Sequence, residues 1–150
     1  MDLLKIYYQN ARGIKTKLKN FYNNSHTNDY NILCITETWL NDKIDDSKIL
    51  NNNYSIFRND RNLDITDKEE GGGVFVAIQK NMIFHRCLKW ESELKNLNIE
   101  LVWLEINLAK ETIYLCNIYI PSYTKVNDYS AILEHFESKI IGMPNKNFII

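Results

Sequence analysis

The sequence holds 150 residues, 45% hydrophobic and 25% charged, with a formal net charge of −1. That is material for one soluble globular domain with an apolar core. The near-neutral balance excludes a strongly basic nucleic-acid arm and leaves room only for local basic patches, Lys15, Lys17 and Lys19 early on and Arg58 and Arg61 later.

The first strand is expected over residues 3–8, an apolar run without the long apolar core or small-residue cleavage site of a secretion signal. No stretch is long enough to span a bilayer, so a soluble intracellular protein, nuclear or cytoplasmic, is expected. Asn10-Ala11-Arg12-Gly13 breaks the strand. Ile14, Leu18, Phe21 and Tyr22 then recur at helical spacing, and residues 23–29 read as a polar loop. A buried strand over 31–36 ends on Glu37. Residues 42–53 are polar, with room for one helical turn, and 54–57 form a short strand. A charged loop over 59–70 leads to Gly71-Gly72-Gly73 and a strand over 74–78. Residues 83–90 read as a weaker strand. Strands over 99–108 and 112–118 make an antiparallel hairpin. After Pro121, Asn127 or Asp128 caps a helix whose apolar face is Tyr129, Ile132, Leu133, Phe136 and Ile140; Gly142 and Pro144 end it. The final residues, 147–150, start another buried strand.

This order predicts a layered α/β sandwich of mixed sheets. The chain stops inside an apolar strand, whereas domain boundaries fall in polar linkers. Residues 1–150 are therefore expected to be the N-terminal portion of a single domain, incomplete at its C-terminus. Alone, such a chain is expected to be poorly soluble, because its last strand exposes an unpaired edge. Cys34, Cys87 and Cys116 lie far apart among apolar residues and read as buried thiols in a reducing compartment. Neither they nor His26, His85 and His135 show a metal-ligand spacing.

Four features bear on chemistry. Asn10 and Gly13 follow the first strand, as a plain turn or as part of a site. Glu37 ends the second strand; a carboxylate there is either the start of a loop or a ligand for a hard divalent cation, which takes one or two carboxylates and retains water. Gly71-Gly72-Gly73 lacks the Lys-Ser/Thr of a phosphate-binding loop and reads as close backbone approach. Tyr119, in Asn117-Ile118-Tyr119-Ile120-Pro121, is a core tyrosine or a donor to a phosphate oxygen.

The succession Asn10-x-Arg12-Gly13, Cys34-Ile35-Thr36-Glu37-Thr38-Trp39-Leu40, Phe57-Arg58-Asn59-Asp60-Arg61, Gly71-Gly72-Gly73-Val74 and Tyr119-x-Pro121 resembles the DNase-I-like endonuclease/exonuclease/phosphatase superfamily. It is most similar to the apurinic-like endonuclease domain of non-LTR retrotransposons, over roughly the first two-thirds of a domain of about 200–250 residues. The resemblance implies phosphodiester hydrolysis in DNA with Mg2+ or Mn2+. It assigns metal and water support to Asn10, metal binding to Glu37, a phosphate contact to Tyr119 and DNA contacts to Arg12 and Arg61. Arg12 stands where apurinic repair enzymes carry an acidic residue, which implies general nicking over abasic-site specificity.

The family's Gly-Asp-Phe/Leu-Asn and Ser-Asp-His segments, which orient water and contact the phosphate, are absent from the 150 residues. The resemblance therefore implies no activity for this stretch alone. The alternatives are a degenerate retrotransposon-derived fragment and a non-catalytic α/β interaction module. If the enzyme reading holds, Asn10 and Glu37 converge at one sheet edge, with Tyr119 opening on the same cleft. Trp39, Gly71 and Gly73 would then only shape it.

Overall fold

Two runs of β-branched and aromatic residues, Ile32–Thr36 and Val74–Gln79, are buried on both faces and organise the first sheet. The computed structural model of the protein describes residues 3–61 and 71–150, the side chain of His26 apart. The first sheet holds β1 (Ile6–Asn10), β2 (Ile32–Thr36), β3 (Tyr54–Asn59) and β4 (Val74–Gln79) in the order β1-β2-β4-β3. β1 and β2 are parallel, as a crossover through α1 (Leu18–Thr27) requires, and the other pairs are antiparallel. The second sheet holds β5 (Ile83–Arg86), β6 (Glu100–Asn107), β7 (Thr112–Tyr119) and β8 (Asn147–Ile149), in that order. β6 and β7 form the expected hairpin, while α3 (Val126–Gly142) carries the chain over to β8, parallel to β7.

The sheets pack face to face. Ile32, Cys34, Val74, Val76 and Ile78 of the first meet Val102, Leu104, Ile106 and Leu115 of the second. α1 covers the outer face of the first sheet, with Leu18 and Phe21 against Leu33, Ile35 and Phe75. The outer face of the second buries Trp103, Tyr114 and Cys116 under Trp90, Ile132 and Phe136. The result is the predicted layered α/β sandwich of two mixed sheets, ordered helix, sheet, sheet, helix.

Three local expectations are corrected. α1 runs on through 23–27, where a loop was expected. Ser25 and Thr27 donate their hydroxyls to the carbonyls of Tyr22 and Asn24, and the Asn28 amide closes the end on Asn24 O at 2.9 Å. Residues 83–90 are not one strand: β5 stops at Arg86, and α2 (Leu88–Glu93) follows. Tertiary contacts decide this. Trp90 packs on Trp103 and Tyr114, and Glu91 accepts both the Trp103 N–H and the Arg86 guanidinium. α3 starts at Val126 after Lys125, with no side-chain cap from Asn127 or Asp128. Only part of its apolar face is covered: Ile132 is buried, but Tyr129, Leu133 and Ile140 are exposed. The charged loop expected over 59–70 lies mostly outside the described residues, and its first residue, Asn59, ends β3.

Candidate active site

Strand register brings the residues singled out above to one end of the sandwich. Asn10 pairs with Thr36, so Asn10 and Glu37 stand at the C-terminal ends of adjacent parallel strands. Val74 lies opposite Thr36 on one side and Asn59 on the other. Gly71-Gly72-Gly73 and Asp60-Arg61 therefore meet at the same end. In the second sheet Glu100 opens β6 directly opposite Tyr119, which closes β7.

The backbone around Glu37 is tightly laced. Arg12, Glu37 and Trp39 all have positive φ, at 45°, 49° and 54°, a region that costs a non-glycine residue about 1–2 kcal/mol. Neighbouring segments hold them there. Gly13 N–H donates to Glu37 O at 2.8 Å, Thr38 N–H to Gly73 O at 3.1 Å and Trp39 N–H to Gly72 O at 3.0 Å. Two glycines are required by space as well. A Cβ on Gly13 would sit 2.7 Å from the Trp39 ring, and one on Gly73 2.6 Å from Thr38 Oγ1. Close backbone approach thus accounts for the glycine run, as the sequence predicts.

Glu37 and Tyr119 come together across the two sheets. The Tyr119 hydroxyl is pushed up to about 12, first by burial, then by hydrogen bonding to Glu37 and by its charge. It stays protonated at neutral pH and acts as a donor. Asn10 is exposed, and its Oδ1 accepts the Arg12 N–H at 3.2 Å, bracing the turn. Tyr8, two residues earlier on β1, meets Thr36 Oγ1 through its hydroxyl. Strand alternation therefore sets Asn10 on the face of the first sheet that looks toward the second. Arg12 is exposed at the rim, and Lys17 Nζ donates to Ala11 O at 2.9 Å nearby.

Arg61 is not on the surface. Its side chain and that of Glu100 are each only 5% exposed, too little to meet an outside partner, and they pair at 2.9 Å through Nε and Oε1. Breaking such a buried pair from one side costs about 3–5 kcal/mol. Arg58, in the same string, secures the loop before β3 by donating to Ile44 O, Asn41 O and Asp46.

Two residues at this end escaped the sequence reading. Glu100 is one. The other is Asn117, 3% exposed, whose Nδ2 donates to Ile35 O at 3.0 Å and Phe75 O at 2.9 Å. It pins β7 two residues before Tyr119 to β2 two residues before Glu37. The signal was an amide inside an apolar strand, which must find partners when buried.

Asp60 and Glu100 at this end are paired with Arg58 and Arg61, which leaves a cation, among the described residues, the Glu37 carboxylate, the Asn10 amide oxygen and the Tyr119 hydroxyl. No group of three or more His, Cys, Asp or Glu side chains among the described residues forms a metal site. A lone carboxylate among neutral oxygens fits Mg2+ or Mn2+, which keep water and take phosphate oxygens, and does not fit zinc. The thiols offer no alternative, since burial raises Cys34 to about 12 and Cys87 to about 11. No helix among the described residues is long and apolar enough to cross a membrane.

No protein-family model and no curated protein matches the sequence. Solved structures do match. The endonuclease domain of TRAS1, a telomere-specific non-LTR retrotransposon, aligns over 95% of this chain and 55% of its own, with TM-score 0.64 and 12% identity. The Xenopus laevis APE2 catalytic domain aligns over 95% and 55%, with TM-score 0.63 and 16% identity. TDP2 from Caenorhabditis elegans aligns over 97% and 47%, with TM-score 0.62 and 15% identity. The fold is that of the DNase-I-like endonuclease/exonuclease/phosphatase proteins, and the chain spans about half the length of these structures.

Proposed function

We propose that this chain carries the metal-binding half of a divalent-metal-dependent DNA endonuclease that nicks phosphodiester bonds, of the retrotransposon type. The observation that carries the reading is geometric: strand register gathers Asn10, Glu37 and Tyr119 at one end of the sandwich. The fold shared with nucleases supports it. Glu37 and the Asn10 amide oxygen hold Mg2+ or Mn2+. When bound, the ion offsets negative charge on a phosphate and makes water more acidic. Tyr119, protonated at neutral pH, donates to a non-bridging phosphate oxygen. Arg12, exposed beside Asn10, takes a neighbouring DNA phosphate, a contact that sets affinity but carries no sequence preference. The protein acts inside the cell, in nucleus or cytoplasm.

The test is supercoiled-plasmid nicking by the gene product with Mg2+ and with EDTA. Wild type nicks only with the ion, Glu37→Gln abolishes nicking, and Tyr119→Phe slows it with the ion requirement unchanged. Nicking by Glu37→Gln at the wild-type rate overturns the reading.

A further inference from the structure

We propose that Arg61 is a positioning residue for Tyr119, anchored by Glu100, and not a DNA contact. The inference rests on the endonuclease reading only for what Tyr119 does; the brace itself is a property of the fold.

Arg61 leaves the end of β3 and folds back against the glycine run. A Cβ on Gly72 would lie 2.4 Å from its Nε, Cζ and Nη2, and one on Gly71 3.0 Å from Nη1. The guanidinium therefore rests directly on the main chain of residues 71–72, where any other residue would displace it. It also reaches Tyr119, with Cζ 5.7 Å from the ring centroid, within cation–π range. Its Nε is held by Glu100, and Glu100 is the residue directly opposite Tyr119 on the neighbouring strand. One buried cation thus touches the three segments that frame the tyrosine: the glycine run, the start of β6 and the Tyr119 ring.

A purely stabilising role does not account for this arrangement. A buried ion pair is often no better for stability than apolar residues of the same volume. This pair, moreover, is incompletely satisfied: Arg61 Nη2 and Glu100 Oε2 are buried with no hydrogen-bond partner among the described residues. Such orphaned atoms call for a reason other than stability. A planar cation fixed on its edge by a carboxylate and resting on glycine backbone gives Tyr119 a rigid wall. That wall fixes the plane of the ring, and with it the direction in which the hydroxyl points. Burial separates Arg61 from any DNA phosphate, the contact expected from sequence. Lysine, with a point charge and a flexible stem, cannot reproduce the plane or the Nε bond.

Three variants test this: Arg61→Lys, which keeps the charge; the pair Arg61→Met/Glu100→Leu, which removes the ions without leaving a charge buried; and Tyr119→Phe, which identifies the Tyr119 signals. In the protein with 13C-labelled tyrosine rings, wild type is expected to show NOEs between the Tyr119 ring and the Glu37 side chain. Both Arg61 variants should lose them while cross-strand NOEs between β2 and β4 persist. In the gene product, Arg61→Lys should lower kcat for nicking by roughly 10–100-fold, as expected for a misplaced catalytic group. KM and the salt dependence of DNA binding should not change. Tyr119–Glu37 NOEs that survive in the Met/Leu pair overturn the proposal. So does a raised KM with unchanged kcat and a salt slope reduced by about one, the mark of a lost phosphate contact. If wild type fails to nick at all, the endonuclease reading falls, and the NOEs alone decide whether Arg61 positions Tyr119.

Discussion

Replacing Asn117 with leucine removes the pin between the sheets without opening a cavity. The two carbonyls it serves, Ile35 O and Phe75 O, accept from Nδ2 at 3.0 and 2.9 Å. Each buried acceptor left short of its donor costs about 1–2 kcal/mol, and the leucine returns about 1 kcal/mol of apolar burial. The net loss is about 1–3 kcal/mol. At about 2–4 °C per kcal/mol for a chain of this size, Tm should fall by roughly 2–12 °C. Asn117→Asp should be worse, because a carboxylate would face two carbonyl oxygens in a dry interior with no donor of its own. The assay is thermal unfolding followed by circular dichroism, with amide hydrogen exchange read at Glu37 and Tyr119. Exchange at those two residues should rise more than at α3, since the pin sits two residues before each. Stability of Asn117→Leu within about 0.5 kcal/mol of wild type, or an aspartate better tolerated than leucine, would refute this account of how the sheets are registered.

Gly73→Ala, with φ +80° and Thr38 Oγ1 at 2.6 Å, should destabilise by about 1–3 kcal/mol. Gly142→Ala, at the end of α3 with nothing within 4 Å, should stabilise by about 0.4–1 kcal/mol; denaturant titration gives both signs, and a matching sign would count against the packing described. His135 is buried, with Nε2 accepting from the Trp103 indole at 3.2 Å and Nδ1 facing Glu93 at 3.1 Å. Its pKa is held below 6.5 by burial first and by Lys139 next, so the unfolded chain binds the extra proton more readily. Stability should therefore be full above about pH 6.5 and decline as pH falls through the lower folded-state pKa. Melting curves from pH 7.5 to 5 check this, and His135→Gln should flatten the decline. In nicking assays Trp39→Phe should cost only a few-fold, whereas Glu37→Gln should cost at least roughly 100-fold, the upper end for losing an outer partner of a metal site. Equal losses would mean that Trp39 does more than fill the space beside Gly13.

The layered architecture was legible because burial on both faces leaves near-continuous apolar runs, as in Ile32–Thr36 and Val74–Gln79. That Asn10, Glu37 and Tyr119 stand at strand ends was legible too: Asn10 and Tyr119 close β1 and β7, and Glu37 directly follows β2. What stayed hidden depends on partners far along the chain. α2 looks like strand by composition, and only the docking of Trp90 onto Trp103 and Tyr114 makes it helical. Arg61 reads as a surface charge because its counter-ion, Glu100, lies 39 residues on. The exposed Leu133 and Ile140 read as core because helical periodicity marks an apolar face without showing whether anything covers it.

The central claim, that Glu37 and Asn10 hold a hard divalent cation beside Tyr119, is tested most directly by titrating Mn2+ into 15N-labelled residues 1–150. Paramagnetic broadening should centre on Asn10, Glu37 and Tyr119, be displaced by excess Mg2+ and vanish in Glu37→Gln. Broadening centred on Asp45 and Asp46, or broadening at Tyr119 that persists in Glu37→Gln, would contradict it.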